Sequence, residues 1–186
     1  MLKTIARIVF VVLSVAYPFV IYFGRNHVTP QTMALVLLCL LTIRAWLLGW
    51  KNTAAKLLLL TGVLVSLATF LFGGLIGLLW YPCAINFVML LIFSYSVLHP
   101  PTVIERLARL TDANLPTHAV IYTRMVTMAW CVFFVINGCI SAWTALYASA
   151  EAWTFYNGLV AYVLMGLLFV LEWIIRYFYR KRHATA

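Results

Sequence analysis

The run KLLLLTGVLVSLATFLFGGLIGLLWYPCAINFVMLLIFSYSVL, residues 56–98, carries a single charge, the lysine at its head. So apolar a stretch reads as membrane-spanning, because about 20 residues of helix cross the ~30 Å hydrocarbon layer. It is also too long for one crossing. Gly73 and Gly74 stand near its middle, so the run divides into a helical hairpin, Lys56–Phe72 followed by Leu75–Leu98. Strands do not fit, since an open strand edge finds no hydrogen-bond partner in lipid. Nor does the chain alternate with period two over the ten-residue segments of a barrel.

Four further apolar runs flank the hairpin: Ile5–Phe23, Thr32–Trp50, Ala119–Ala148 and Ala152–Tyr179. The expected fold is therefore all-α, a polytopic membrane bundle of about six helices in one domain, residues 1–186. Composition agrees. The chain is 66% hydrophobic and 9% charged, against about 25% charged in soluble domains. Lys3 and Arg7 ahead of an apolar run look like a signal peptide. With no small-x-small cleavage site before a polar region, the segment is expected to stay as the first span.

Thirteen Lys and Arg against four Asp and Glu would suggest nucleic acid in a soluble protein. In a membrane protein such charge orients the bundle and meets anionic lipid heads, so no nucleic-acid partner is expected. Lys3 with Arg7, Lys51 with Lys56, Arg106 with Arg109, and Arg176 through Arg182 fall on alternate connections and termini, whereas Arg25 stands on the other side. By the positive-inside rule both ends and the 99–118 loop are cytoplasmic. Trp50, Trp80, Tyr81, Trp153 and Tyr177 are expected at the interfaces, where an amphipathic ring sits well.

Within HPPTVIERLARLTDANLP, residues 99–116, Thr102 and Glu105 form a T-x-x-E capping pattern, in which each side chain satisfies a backbone donor of the first turn. Val103, Leu107 and Leu110, with Ile104 beside them, make one stripe, while Glu105, Arg106 and Arg109 face elsewhere. The spacing predicts a short amphipathic helix over 102–110, lying on the membrane face. Arg106 and Arg109 suit a phosphate on a lipid head or carrier-protein arm; the alternative is topology plus a Glu105–Arg109 pair at i,i+4. Glu105, Arg106, Arg109 and Arg124 are thus the candidate partner- or lipid-binding residues. Arg124 either snorkels to the interface or pairs with a loop acid, and Arg44 is within reach of the interface as an anchor.

Asn86, Asn137 and Asn157 each fall inside an expected span, where an unpaired amide is unfavourable and an interhelical hydrogen bond recovers part of the loss. Asn137, Ser141, Ala145 and Ser149 form a ridge at spacing four, and Asn157 with Ala161 begins another; these read as a packing seam or a polar cavity. Glu172 and Arg176 are spaced for an ion pair. Gly73 and Gly77 make a short G-x-x-x-G. Cys39, Cys83, Cys131 and Cys139 lie in apolar runs without C-x-x-C spacing and read as small buried apolar residues.

Enzyme signatures are missing. His99 lacks the Asp of an H-x4-D acyltransferase pattern, and the chain has no H-E-x-x-H, nucleophile elbow, phosphate-binding Gly loop or chelating acid pair. His99, Glu105, Asp112 and His118 would need the fold to bring them together. No metal site or cofactor is expected.

Three segments carry a resemblance: PPTVIERLARLTDANLP (100–116), YTRMVTMAWCVFFVINGCISAWTAL (122–146) and FYNGLVAYVLMGLLFVLEWIIR (155–176). Together they resemble a family of uncharacterised bacterial inner-membrane proteins whose genes often accompany those for aryl-polyene or related specialised fatty-acid lipids. The match covers the C-terminal half, and the N-terminal half only in hydropathy. Pro101, Ile104, Arg106, Leu115 with Pro116, and Trp130 with Phe133 and Phe134 also resemble, more distantly, the intracellular septation protein A family of envelope proteins. These resemblances imply a non-catalytic accessory of the inner membrane in envelope or specialised lipid biosynthesis. It would dock membrane lipids, a biosynthetic enzyme or an acyl carrier protein through its basic face. The alternative is a transporter of a lipid or acyl product, or a membrane acyl-transfer enzyme.

Overall fold

The structure, a computed structural model, describes residues 16–49 and 53–184. All of its regular structure is helical, with no strand among the described residues. Five helices there are long and apolar enough to cross a membrane. Of the first expected span only the last part is described, as α1 over 16–24; residues 5–15 and the reading of a retained leader lie outside the described residues.

Local chemistry explains where each helix begins and ends. Thr29 caps α2 (Pro30–Leu48) by accepting from the Thr32 amide at 3.3 Å, and Pro30 fills a first-turn position where no amide hydrogen is needed. After α3 (Thr53–Phe72) the chain turns on Gly73 and Gly74, whose φ of 69° and 61° lie in the left-handed region open to glycine. The hairpin expected there is present.

The fourth span departs from its expectation. It is split into α4 (Ile76–Leu79) and α5 (Tyr81–Leu98) instead of running as one helix from Leu75. Pro82 is the cause: its nitrogen has no hydrogen to give the carbonyl of Leu78 four residues back, and its ring crowds that carbonyl. The freed groups are taken up from outside. Tyr17 Oη on α1 donates to Leu78 O at 2.9 Å, and Trp153 Nε1 donates to Leu79 O at 3.2 Å. A proline inside an apolar helix is tolerated on that condition. Trp153 and Tyr81, expected at an interface, are therefore buried in the bundle.

Gly77 sets the approach of α4 to α3. A Cβ there would stand 2.6 Å from Val65 O and 2.7 Å from the Thr69 nitrogen, both backbone atoms that cannot swing aside. Gly77 thus packs the hairpin against itself, while Gly73 serves the turn and has open space at its Cβ position. Gly77→Ala is expected to lower stability by about 1–3 kcal/mol through overpacking, read from the midpoint of an SDS unfolding titration in mixed micelles. An unchanged midpoint would refute this contact.

The loop then forms α6 (Val103–Arg109), and α7 (Thr117–Tyr147) follows Pro116. After a turn capped by Ser149 come α8 (Ala150–Phe155), a π turn (Tyr156–Val160) and α9 (Ala161–Ala184). The apolar core gathers at the end away from α6, where Tyr17, Ile21, Ala34, Leu37, Leu78 and Trp153 are buried together. At that end Arg25 NH2 reaches Glu151 Oε1 at 3.1 Å, neutralising the lone arginine of that side. Cys83 and Cys131 are half-buried. Cys39 and Cys139 face outward, against the expectation that all four are buried, because the lipid-facing surface of a helix bundle is as apolar as its interior.

Candidate functional site

Helices α5, α7 and the continuous last span, α8 through the π turn into α9, meet along a polar seam. Gly138 lets α5 come close, since a Cβ there would lie 3.2 Å from Asn86 Cβ. Asn137 Nδ2 donates to Asn86 Oδ1 at 3.0 Å, and Tyr156 Oη donates to Asn137 Oδ1 at 2.8 Å. Asn86 Nδ2 returns to its own helix at Pro82 O, 2.9 Å. One turn further along α7, Ser141 Oγ donates to Asn157 Oδ1 at 2.8 Å, and Asn157 Nδ2 donates to Thr144 Oγ1 and Trp153 O at 3.2 and 2.9 Å. All three amides named from the sequence are buried here. Tyr156 and Asn157 are consecutive yet both reach α7, and they stand in the π turn; such widened turns recur at functional sites.

From this seam the helices diverge. Close backbone approach of α7 to the last span is concentrated at α8 and the π turn. Toward the other end α7 meets α9 through ring pairs, Trp130 with Phe169 and Tyr122 with Tyr179, each with centroids 4.7 Å apart. Small residues at one end and paired rings at the other make a wedge. Two cavities occupy it. The upper one, about 370 Å³, is bounded by Asn86, Asn137 and Asn157 at its polar end, with Met89, Met165 and Phe169 among its apolar walls. Arg44, expected to be an interface anchor, also lines it. The lower one, about 460 Å³, lies between α6, α7 and α9 and includes Glu172, Arg176, Arg180 and His118. Ile104, Leu107, Trp130 and Phe169 border both, so the two share a wall.

Helix α6 is held rigidly against this opening. Its capping box is complete: Thr102 Oγ1 accepts from the Glu105 amide at 3.2 Å, and Glu105 Oε2 accepts from the Thr102 amide at 3.4 Å. Val103 N donates to Ser96 Oγ of α5 at 3.1 Å. The leucines of the stripe face outward, where lipid would meet them, and Glu105 turns inward. Glu105 is 4% exposed, while Leu107 and Leu110 are 57% and 83% exposed. The cap folds the carboxylate inward over the helix start, and Arg109 completes it, its Nε and NH2 on Glu105 Oε1 at 3.0 and 2.8 Å and its NH1 on Ala113 O at 2.9 Å.

The four residues named for partner binding are therefore placed differently from one another. Glu105 and Arg109 are joined within the loop; Arg106 is exposed, with Nε on Pro101 O at 2.9 Å; Arg124 is exposed on α7 and lines neither cavity. Asp112 and His118 share the lower cleft. His99 stacks on Tyr95 instead, so the four acid and histidine candidates of the loop do not converge. No group of three metal-ligating side chains occurs among the described residues.

The sequence reads Arg180 as part of the basic tail and Arg176 also as the ion-pair partner of Glu172. Glu172 Oε2 pairs with Arg176 NH2 at 3.4 Å, and Tyr122 Oη donates to Glu172 Oε1 at 3.3 Å. The spacing of four foretold that ion pair, but the cleft exists because α6 folds back beside α9. The kink had a signal in Pro82, inside an apolar helical run, whereas the π turn had no pattern that would reveal it. Comparison with protein-family models, characterised proteins and solved structures returns no match.

Proposed function

We propose that this chain is a protein of the bacterial cytoplasmic membrane, basic end inward, that serves without catalysis in envelope or specialised lipid biosynthesis by holding a lipid or acyl intermediate. One observation carries this reading: two adjoining cavities, one at a buried amide seam and one at a basic opening, share the wall of Ile104, Leu107, Trp130 and Phe169. Both volumes lie in the ~300–1,000 Å³ range of small-molecule sites, with mostly apolar walls and a few convergent polar groups. The resemblance to aryl-polyene-associated and septation-protein families points the same way. Partners on this reading are membrane lipids and, at the exposed Arg106 face, an enzyme or an acidic acyl carrier protein of the same pathway.

The test is mass spectrometry of lipid extracts from a deletion strain, complemented with wild type or with Met165→Trp, which fills the upper cavity. One lipid product is expected to vanish with build-up of its precursor, restored by wild type and not by the filled variant at equal abundance. An unchanged lipid profile on deletion would overturn the proposal.

A further inference from the structure

We infer that the cleft between α6, α7 and α9 binds the anionic head of a single-chain lipid, its chain lying past Trp130 and Phe169 toward the amide seam. This deepens the reading above and rests on it for the protein's role, not for the binding itself. The occupant follows from charge, width and continuity.

The cleft's charged lining is Glu172, Asp112, Arg176 and Arg180. Both acids already accept hydrogen bonds within the protein. Glu172 is held by Arg176 and Tyr122, and Asp112 Oδ1 accepts from the Asn114 amide at 3.1 Å. Arg180, one turn beyond Arg176, makes no ion pair among the described residues, and both guanidinium groups also border a notch formed with Ala108 and Thr111 of the α6 segment. A guanidinium fork fits a carboxylate or phosphate, and basic pockets between spanning helices receive anionic heads at the cytoplasmic side.

The chain's path is set by the rings. Trp130 and Phe169, with ring centroids 4.7 Å apart, stand at the border of both cavities, so an apolar chain leaving the head lies against these rings. Beyond them Met89 and Met165, flexible and polarisable, conform to a chain of varied shape. An upper cavity of about 370 Å³, at the low end of small-molecule sites, takes one chain in preference to the two of a bilayer phospholipid. Asn86 and Asn137 at its polar end are bonded to each other and Asn157 to Ser141, so these amides are already paired within the protein.

The experiment titrates the purified full chain, in neutral maltoside micelles, with 9,10-dibromostearate, whose bromines quench tryptophan at close range. Parallel arms use its uncharged methyl ester, inorganic phosphate, and dibromostearate with stearate as competitor. Saturable quenching by the acid is expected, displaced by stearate and not by inorganic phosphate, with the quenchable fraction reduced in Trp130→Phe. The ester is expected to bind about tenfold more weakly, and Arg176→Gln with Arg180→Gln to weaken the acid by a similar factor. Arg180→Gln alone, which removes no ion pair, is expected to weaken it severalfold and guards against misfolding of the double variant. Equal binding of acid and ester, quenching indifferent to Trp130→Phe, or displacement by inorganic phosphate would each overturn the site. If binding depends on the arginines while deletion leaves cellular lipids unchanged, the site stands and the biosynthetic role falls; the converse result removes the site and keeps the role.

Discussion

Trp153→Ala is expected to destabilise the bundle by about 3–5 kcal/mol, the range for emptying a packed aromatic position. Trp153 is 1% exposed and packs in one cluster with Tyr17, Ile21, Leu37 and Leu78, so its loss leaves a void touched by α1, α2 and α4 at once. Much of that penalty survives in lipid, because the void forfeits dispersion contacts wherever the surrounding solvent stands. A second loss adds to it: the Leu79 carbonyl, freed at the proline kink, no longer receives Nε1. Trp153→Phe separates the two effects, keeping most of the volume while orphaning the carbonyl, and is expected to lose roughly 1–2 kcal/mol. SDS titration of both variants, followed by far-ultraviolet circular dichroism, checks this. A loss below about 1 kcal/mol for the alanine variant would mean that the kink is not clamped as described.

Asn137→Leu is expected to lower stability by roughly 2–3 kcal/mol, because one substitution strands two groups on different helices. Asn86 Oδ1 loses its donor and Tyr156 Oη its acceptor. A single interhelical hydrogen bond in a membrane averages only about 0.6 kcal/mol, so the expected excess comes from the orphaned partners. The diagnostic is non-additivity. A triple variant, Asn86→Leu, Asn137→Leu and Tyr156→Phe, removes the polar groups together and is expected to recover most of the loss. If the triple variant is no more stable than the single one, the seam is not a coupled network.

The contrast between these sites shows what could be read in advance. The hairpin at Gly73 and Gly74, the capping box of Thr102 and Glu105, and the burial of the three asparagines follow from signals spanning a few residues, which local chemistry decides. Glu105 was legible as a cap, though not as the buried residue of its helix, because burial depends on what α5 and Arg109 place over it. Tyr156 was silent for a related reason. It becomes part of the seam through the π turn, which brings two consecutive residues onto α7.

By itself the sequence determined the class of fold: runs of about 20 apolar residues admit only helices in lipid, where every backbone group must find its partner within the segment. It also determined where the chain turns and which polar side chains must find partners inside. Tertiary structure alone decided the rest. Whether small residues or rings face each other sets the separation of α7 from α9, and hence whether that interface is a seam or a cleft. Such facing depends on helix rotation and on where α6 folds back, quantities that no local spacing encodes.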